Sequence, residues 1–383
     1  MEPLRVTLLD PSAFTPPYDR SLAAALARAG ADVELLTSRF LYGPVPAPDG
    51  YRVDEDAFYP RSAAAGRGRR LRLVRKGLEH FPGMLAARRR LGSADVDAAH
   101  WQWLTLPDLD RHLLGPRRPG RPRVLTLHAP LPPPGASRAM ARRRRVLEAF
   151  DAIVVHTEGA AGRLRDEAGL DPALVHTIPH GPLDYLTGLA EEKGLPAELD
   201  AVDAPVILFF GLLRPYKGID TLLEAFSAMG QSGAELWIAG MPRMPIEPLR
   251  ELADRAPGTV RFLPRFIPDD EIPALMRRAD VLALPYREIE QSGVLYAGLA
   301  FGKAMVLGDV GGFSEVGRGG AARLVPPGDA VALARTLDEL IASPSARREL
   351  ERAAAQSVEG ELGWDAIAAR TLALYRSLGA GDR

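Results

Sequence analysis

Two periodicities alternate from one end of the chain to the other. Short runs of aliphatic and β-branched residues, "RVTLLD" (5–10), "DVELLT" (32–37), "DAAHWQW" (97–103), "RVLTLHA" (123–129) and "AIVVHT" (152–157), read as strands. Between them lie stretches with apolar residues three and four apart, such as "DRSLAAALARAG" (19–30), which read as helices. Strands that alternate with helices predict βαβ units and a parallel sheet covered on both faces. A polar, unpatterned segment, "LTGLAEEKGLPAELDAVDAP" (186–205), then interrupts the pattern. A second series follows: strands at "VILFFG", "ELWIAG", "VRFLPRF", "ADVLALPY", "AMVLGD" and "ARLVPPG", with helices at Ile219–Met229 and near Pro248–Arg255 and Val294–Phe301. The expected organisation is a Rossmann-like domain over 1–185 and a second one over 186–363. The last helix, "WDAIAARTLALYRSLG", is expected to fold back on the first domain.

The length of 383 residues agrees with two cores, since a single core stops growing near about 250–300 residues. The longest uncharged apolar run, "APVILFFGLL", has 10 residues, half of the roughly 20 that a membrane span needs. The amino terminus, "MEPLRVTLLDPS", carries an acid and a strand pattern where a signal peptide would have basic and then long apolar stretches. With no cysteine, disulfides, thiol nucleophiles and Cys-ligated metals are out. A cytoplasmic protein is the expectation.

Charge adds an asymmetry that the net value of −1 hides. Residues 1–185 carry 27 basic and 21 acidic side chains, the remainder 21 and 28, and all seven histidines lie between His80 and His180. Only four of the 48 basic residues are lysine: Lys76, Lys193, Lys217 and Lys303. The arginine runs "GRGRRLRLVRK", "ARRRL", "RRPGRPR" and "SRAMARRRRVLEAF" make the first domain basic in patches. Without interleaved aromatics or a nucleic-acid module, they give no support to a nucleic-acid partner. A solvated basic surface is one reading, and peripheral contact with anionic lipid at the inner face of the membrane, or with an anionic acceptor, is the other.

Two loops gather candidate chemistry. In "FFGLLRPYKGID" a strand ends at Gly211, and Arg214 and Lys217 follow before a helix begins. That is the carboxyl edge, where open α/β sheets bind ligands. Two cations there could neutralise a leaving diphosphate, and a solvated turn is the plain alternative. In "YREIEQSGVLYAGLAFGKAMVLGDVGG" another strand end runs into a helix that opens with Ser292, Gly293 and Val294. Its free amides suit a phosphate, or form an ordinary N-cap.

These segments, with "LWIAG", "VGGFSEV" and "RLVPPGDAVALARTLDELI", resemble in order and spacing the second domain of retaining glycosyltransferase family 4, over most of 205–345. The resemblance implies a GT-B fold, two Rossmann-like domains facing an interdomain cleft, and a nucleotide diphosphate sugar donor. It implies an acceptor that is a glycan, a lipid or a small molecule. Arg214, Lys217, Ser292, Gly293 and Val294 would hold the diphosphate, with Gly211, Gln291 and Glu315 near the sugar or nucleotide. Glu290 and His128 would be catalytic, His128 standing at the end of "VLTLHA" beside the donor sugar. A satisfied structural histidine is the competing reading of His128, and His180 in "HTIPHG" is read as structural.

The family's second glutamate, separated from the first by seven residues and on the ribose side, would fall on Ala297 or Gly298 depending on register, and neither is acidic. The first strand-turn also lacks the family's paired glycines, and Asp19 there reads as a helix cap. Three D-x-D or D-E-D matches, at 54–56, 95–97 and 108–110, follow no strand-to-phosphate turn. No metal or other cofactor is therefore expected, because two cations already face the diphosphate. An epimerase or phosphorylase of the same architecture, and a sugar-nucleotide-binding protein without activity, are the rival readings.

Overall fold

The computed structural model describes residues 2–381 except 44, 64–68, 94, 130, 134, 231 and 232, with backbone alone at 63 and 69–73. The run "GRGRRLRLVRK" therefore lies partly outside the described residues. The chain divides into a first unit, 1–180 with 364–383, and a second unit, 181–363.

In the first unit β1 (Arg5–Asp10), β2 (Asp32–Thr37), β3 (Arg52–Asp54), β4 (Ala98–Trp101), β5 (Arg123–Thr126), β6 (Ala152–Val155) and β7 (Val175–Thr177) form one sheet. Their order is β3-β2-β1-β4-β5-β6-β7, and every neighbouring pair is parallel. Strand β3 escapes a pattern search because "RVD" is three residues long with two charges and sits at the sheet edge. In the second unit β8 (Val206–Phe210), β9 (Glu235–Ala239), β10 (Val260–Leu263), β11 (Val281–Leu284), β12 (Met305–Gly308) and β13 (Arg323–Val325) make a second parallel sheet, ordered β10-β9-β8-β11-β12-β13. Central strands sheathed on both faces need apolar side chains throughout, and Val206 to Phe209 and Val281 to Leu284 are buried without exception.

In both sheets the strand order reverses beside the first strand, at β1/β4 and at β8/β11. Such a reversal opens a crevice at the carboxyl edge. The loops at that edge are Asp10–Thr15 and Gln102–Trp103 in one unit, and Gly211–Lys217 and Tyr286–Val294 in the other.

The boundary falls five residues before the expected Tyr185. Leu183 N donates to Tyr296 O (3.2 Å), Tyr185 Oη donates to Asp269 Oδ2 (2.9 Å), and Leu186 is part of the second core. These anchors pull 181–185 into the second unit.

The C-terminal helix Trp364–Ser377 packs on the helix Pro16–Arg28. Trp364, Ile367, Leu372 and Tyr375 share one core with Leu22 and Leu26, and Tyr375 Oη bonds His100 Nδ1 at 2.6 Å. Burial of those four side chains contributes very roughly 6–12 kcal/mol before conformational entropy is counted.

Candidate active site

In the second unit three segments distant in sequence meet at one point. Strand β8 leads into Gly211, whose φ of +115° lies where L side chains rarely go. A Cβ added there would stand 3.0 Å from Val294 Cγ2 and 3.1 Å from Lys217 Nζ. Lys217 ends the short helical turn Pro215–Lys217, with its amide on Arg214 O at 3.0 Å. Its side chain is buried at 6 % exposure, and Nζ lies 4.7 Å from the centre of the Tyr286 ring. Burial, and then the Arg214 charge, lowers the Lys217 pKa to about 8. The Arg214 side chain is exposed.

Ser292 caps the helix Gly293–Ala300 in extended conformation, yet its hydroxyl makes no capping bond. The first amides of that helix have no intrahelical acceptor. Its N-terminus therefore offers N–H donors and a positive dipole end beside Lys217. Gly311, at φ +48°, presses so closely on the preceding loop that a Cβ would meet Ile289 O at 1.8 Å. Gly312 N then donates to Glu290 O at 3.1 Å. This contact sets the helix Gly311–Arg318, which carries half-buried Glu315, against the Glu290–Gln291 loop. Gln291 keeps a buried Nε2 that has no partner among the described residues, a donor awaiting an acceptor.

Neither register of the missing glutamate leaves room for an acid. Ala297 is buried in the core, and a Cβ on Gly298 would lie 2.7 Å from both Leu282 Cδ2 and Met305 Sδ. Glu315 instead brings a carboxylate near Tyr296, whose phenol is pushed up by burial and then by that charge.

In the first unit the carboxyl edge gathers rings. His128 lies two residues past β5, half-buried, 4.7 Å from the Tyr18 ring and stacked at 5.6 Å on Trp103. His156 donates from Nδ1 to Ile178 O (2.9 Å), and its Nε2 is 3.3 Å from His128 Nδ1. Burial holds His128 well below the usual histidine range, with the neighbouring histidines adding to the effect, and takes His156 to about 4. Both rings are then neutral, so His128 Nδ1 carries the proton given to His156, and His128 Nε2 must accept. Gln102 faces that nitrogen at 3.1 Å through Oε1, while its own Nε2 is buried and unpartnered. Turning the amide end for end lets Gln102 Nε2 donate to His128 Nε2. Both ring nitrogens of His128 are thus engaged within this unit, and His180 packs on Tyr18 and His156.

Asp19 is not a cap. Thr15 takes the N-cap position, and Asp19 is buried beside Asp10. Asp10 accepts from the amides of Ser12 (3.2 Å), Phe14 (2.5 Å) and Thr15 (3.0 Å), and Thr15 Oγ1 links Asp19 Oδ1 (3.2 Å) to Trp103 Nε1 (2.8 Å). Both carboxyl groups are pushed up by burial, Asp19 further by Asp10. Ala13 adopts φ +48° in this loop, a glycine-like conformation held by a non-glycine residue, which costs about 1 kcal/mol. Sequence reasoning missed the Asp10 network and the Tyr286 platform. Polar residues directly after strands were the available signal.

The acidic residues of the triplets already have partners. Asp54 pairs with Arg90, Glu55 with Arg20, and Asp56 with Arg39. Asp95 and Asp97 both pair with Arg5, Asp108 with Arg142, and Asp110 with His80. No group of three or more potential metal ligands occurs among the described residues.

Comparison with known proteins gives two family matches. The profile described as Glycosyltransferase Family 4 matches residues 19–181, and that described as Glycosyl transferases group 1 matches 204–343. The chain is 29% identical to a D-inositol 3-phosphate glycosyltransferase of Jonesia denitrificans, covering 94% of this chain and 89% of the relative. It is 28% identical to an alpha-maltose-1-phosphate synthase of Mycolicibacterium smegmatis, covering 68% and 74%. Among solved structures it superposes on sucrose-phosphate synthase from Thermosynechococcus elongatus with a TM-score of 0.69 at 21% identity, covering 98% of this chain and 99% of that one. Anabaena HepE in complex with UDP and glucose gives 0.66 at 18%, covering 98% and 100%.

Proposed function

The chain belongs to glycosyltransferase family 4 and has the GT-B fold; from that premise we propose that it transfers a sugar from a nucleotide diphosphate donor with retention of anomeric configuration. The observation that carries the proposal is the meeting of Lys217 Nζ and the Val294 helix start at Gly211. Here the donor diphosphate takes the Lys217 ammonium, the Arg214 guanidinium and the amides that follow Ser292. Charge that develops on the leaving group meets fixed cations and dipoles, so departure needs no divalent ion. Glu290, Gln291 and Glu315 orient the sugar and nucleoside. His128 is the first unit's candidate for the sugar, by exchanging its Nε2 contact with Gln102 for a sugar hydroxyl.

Retention follows a single-face course. The bond from the anomeric carbon to the diphosphate oxygen breaks, its electron pair stays on the diphosphate, and the acceptor oxygen bonds on the same face. The acceptor proton goes to the departing phosphate oxygen. A proton NMR spectrum of the first-formed product tests this reading: the donor's anomeric configuration is expected, and inversion refutes it.

For the acceptor side we propose contact with an anionic membrane surface in a cytoplasmic setting. No helix of the described residues is long and apolar enough to cross a bilayer. The helix Arg69–Leu91 exposes Val74, Leu78, Phe81 and Leu85 at 62%, 72%, 46% and 39%, spaced so that all four share one face. Exposed Arg88 and Arg89 lie at its lower end, the pairing of apolar stripe and basic flank that suits an interface. The cluster Arg142–Arg145 is a weaker candidate, because Asp108 and Glu148 neutralise Arg142 and Arg144. Flotation with phosphatidylglycerol vesicles is expected to be lost in Leu78→Glu/Phe81→Glu. Equal flotation of that variant refutes the contact.

A further inference from the structure

At the amino edge of the first sheet, the end opposite the reversal loops, lies a cavity of about 430 Å³. It opens between the end of the helix Arg69–Leu91, the starts of β4 and β5, and the turn before β5. Arg88, Arg89, Arg118, Arg121 and Arg123 line it, with no acidic residue in the wall. Five cations without a carboxylate repel one another unless an anion joins them.

Internal capping accounts for some of these donors and not for the rest. Arg123 gives its Nη atoms to the carbonyls of Leu114, Gly115, Pro116 and Ala149, and Arg118 Nη1 reaches Gly92 O at 2.5 Å. Arg121 Nη1 bonds Ser93 O. Arg88 and Arg89 make no such contact among the described residues, and Asp151, the acid beside Arg123, is engaged by Arg117 at 3.2 Å. Two glycines let backbone come close to guanidinium groups: a Cβ would lie 2.8 Å from Arg88 Nε at Gly115 and 3.2 Å from Arg118 Nη2 at Gly92. Burial lowers the affinity of Arg123 for its proton; the nearby Asp151 carboxylate opposes that, and the charges of Arg117 and Arg88 add to it.

We propose that this cavity binds a ligand bearing two or more phosphate groups, at a site separate from the donor seat. Planar guanidinium forks match phosphate oxygens in pairs, and the volume lies in the range of about 300–1,000 Å³ typical of small-molecule pockets. A soluble oligophosphate and a phospholipid headgroup present the same chemistry.

The test uses the full chain, with inorganic triphosphate as the soluble probe and phosphatidylcholine vesicles with and without phosphatidylglycerol as the lipid probe. Calorimetry of Lys217→Ala removes the donor seat from the count, and a triphosphate site is expected to remain. In Arg88→Gln/Arg89→Gln, whose side chains hold no backbone in place, affinity at that site is expected to fall at least about tenfold, the scale of lost charge-assisted bonds, with an unchanged melting temperature. Arg118→Gln serves as a second variant. Triphosphate binding lost in the double variant assigns a soluble ligand. Vesicle binding lost both there and in Arg118→Gln, which lies off the membrane-facing helix, with no triphosphate site, assigns a headgroup. Absence of both, or binding unchanged in both variants, overturns the proposal. Failure of the donor reading would show instead as an unaltered Lys217→Ala donor affinity.

Discussion

Replacing Lys217 by methionine sets stability against activity. The lysine is buried over the Tyr286 ring, with its pKa brought from 10.5 to about 8. At about 1.4 kcal/mol per pH unit, the ligand-free fold resists that charge by about 3 kcal/mol at neutral pH. The sign follows from proton counting. Between about pH 8 and 10.5 the unfolded chain keeps the proton that the folded chain has lost, so stability of the free protein rises with pH across that window. Methionine keeps the length and loses the charge. Lys217→Met is therefore expected to melt higher than the parent at pH 7 by a few degrees, with about 10 °C as the ceiling for a unit of this size, and to show no rise above pH 8. Its turnover is expected to fall roughly 10²- to 10³-fold, the scale for removing one charge-stabilising group. Scanning calorimetry with and without nucleoside diphosphate, beside a transfer assay, reads both quantities. A variant that melts lower and still transfers at the parental rate refutes the assignment of Lys217 as the strained cation of the donor seat.

Other expectations rest on separate observations. Exhaustive chelation is expected to leave the transfer rate unchanged, since the acidic triplets are paired with arginine or histidine; loss restored by Mg²⁺ or Mn²⁺ refutes this. Ala13→Gly is expected to raise stability by up to about 1 kcal/mol in a denaturant titration, by relieving the φ of +48°; a lowered midpoint counts against strain. Deletion of 364–383 is expected to yield insoluble protein, because it strips Trp364, Ile367, Leu372 and Tyr375 from the first core; a monomeric truncation with native circular dichroism refutes that. Acid is expected to unfold the first unit: His100 and His156 titrate near 3 and 4 when folded, against 6.5 unfolded, so their stability is lost as pH falls below 6.5. An acid melt monitored by tryptophan fluorescence reads it, and a flat signal down to pH 4 sinks it.

Strands with continuous apolar character were legible because two-face burial leaves no other choice, as in "VILFF" and "VLAL". Strand β3 was not, since an edge strand of three residues needs only backbone pairing with β2. The loops after β8 and β11 were legible because Gly211, Lys217 and the Ser292–Gly293 step follow closely on strand ends, and Gly211 adopts a φ of +115°. Asp19 was misread because an acid near a helix start has two stable fates, exposed cap or buried partner. Only the position of Asp10, nine residues earlier on β1, decides between them. The engagement of both His128 nitrogens depends on Gln102 and His156 from neighbouring strands, which no local pattern reveals.

The two units share a strand order and a reversal point, yet their carboxyl edges carry opposite chemistry. In the second unit the loop after β8 and the helix after β11 deliver cations and free amides, which select for phosphate whatever it is attached to. In the first, burial drives the imidazoles neutral and surrounds them with Tyr18 and Trp103. A neutral imidazole donates at one nitrogen and accepts at the other, and an aromatic face covers C–H groups. In His128 and His156 those nitrogens are taken up by Gln102, by Ile178 O and by each other. Parallel topology fixes where a ligand edge lies, and the choice of side chains within two or three residues of each strand end fixes what binds there. A lysine placed at Gln102 would import charge into a network whose histidines already resist it.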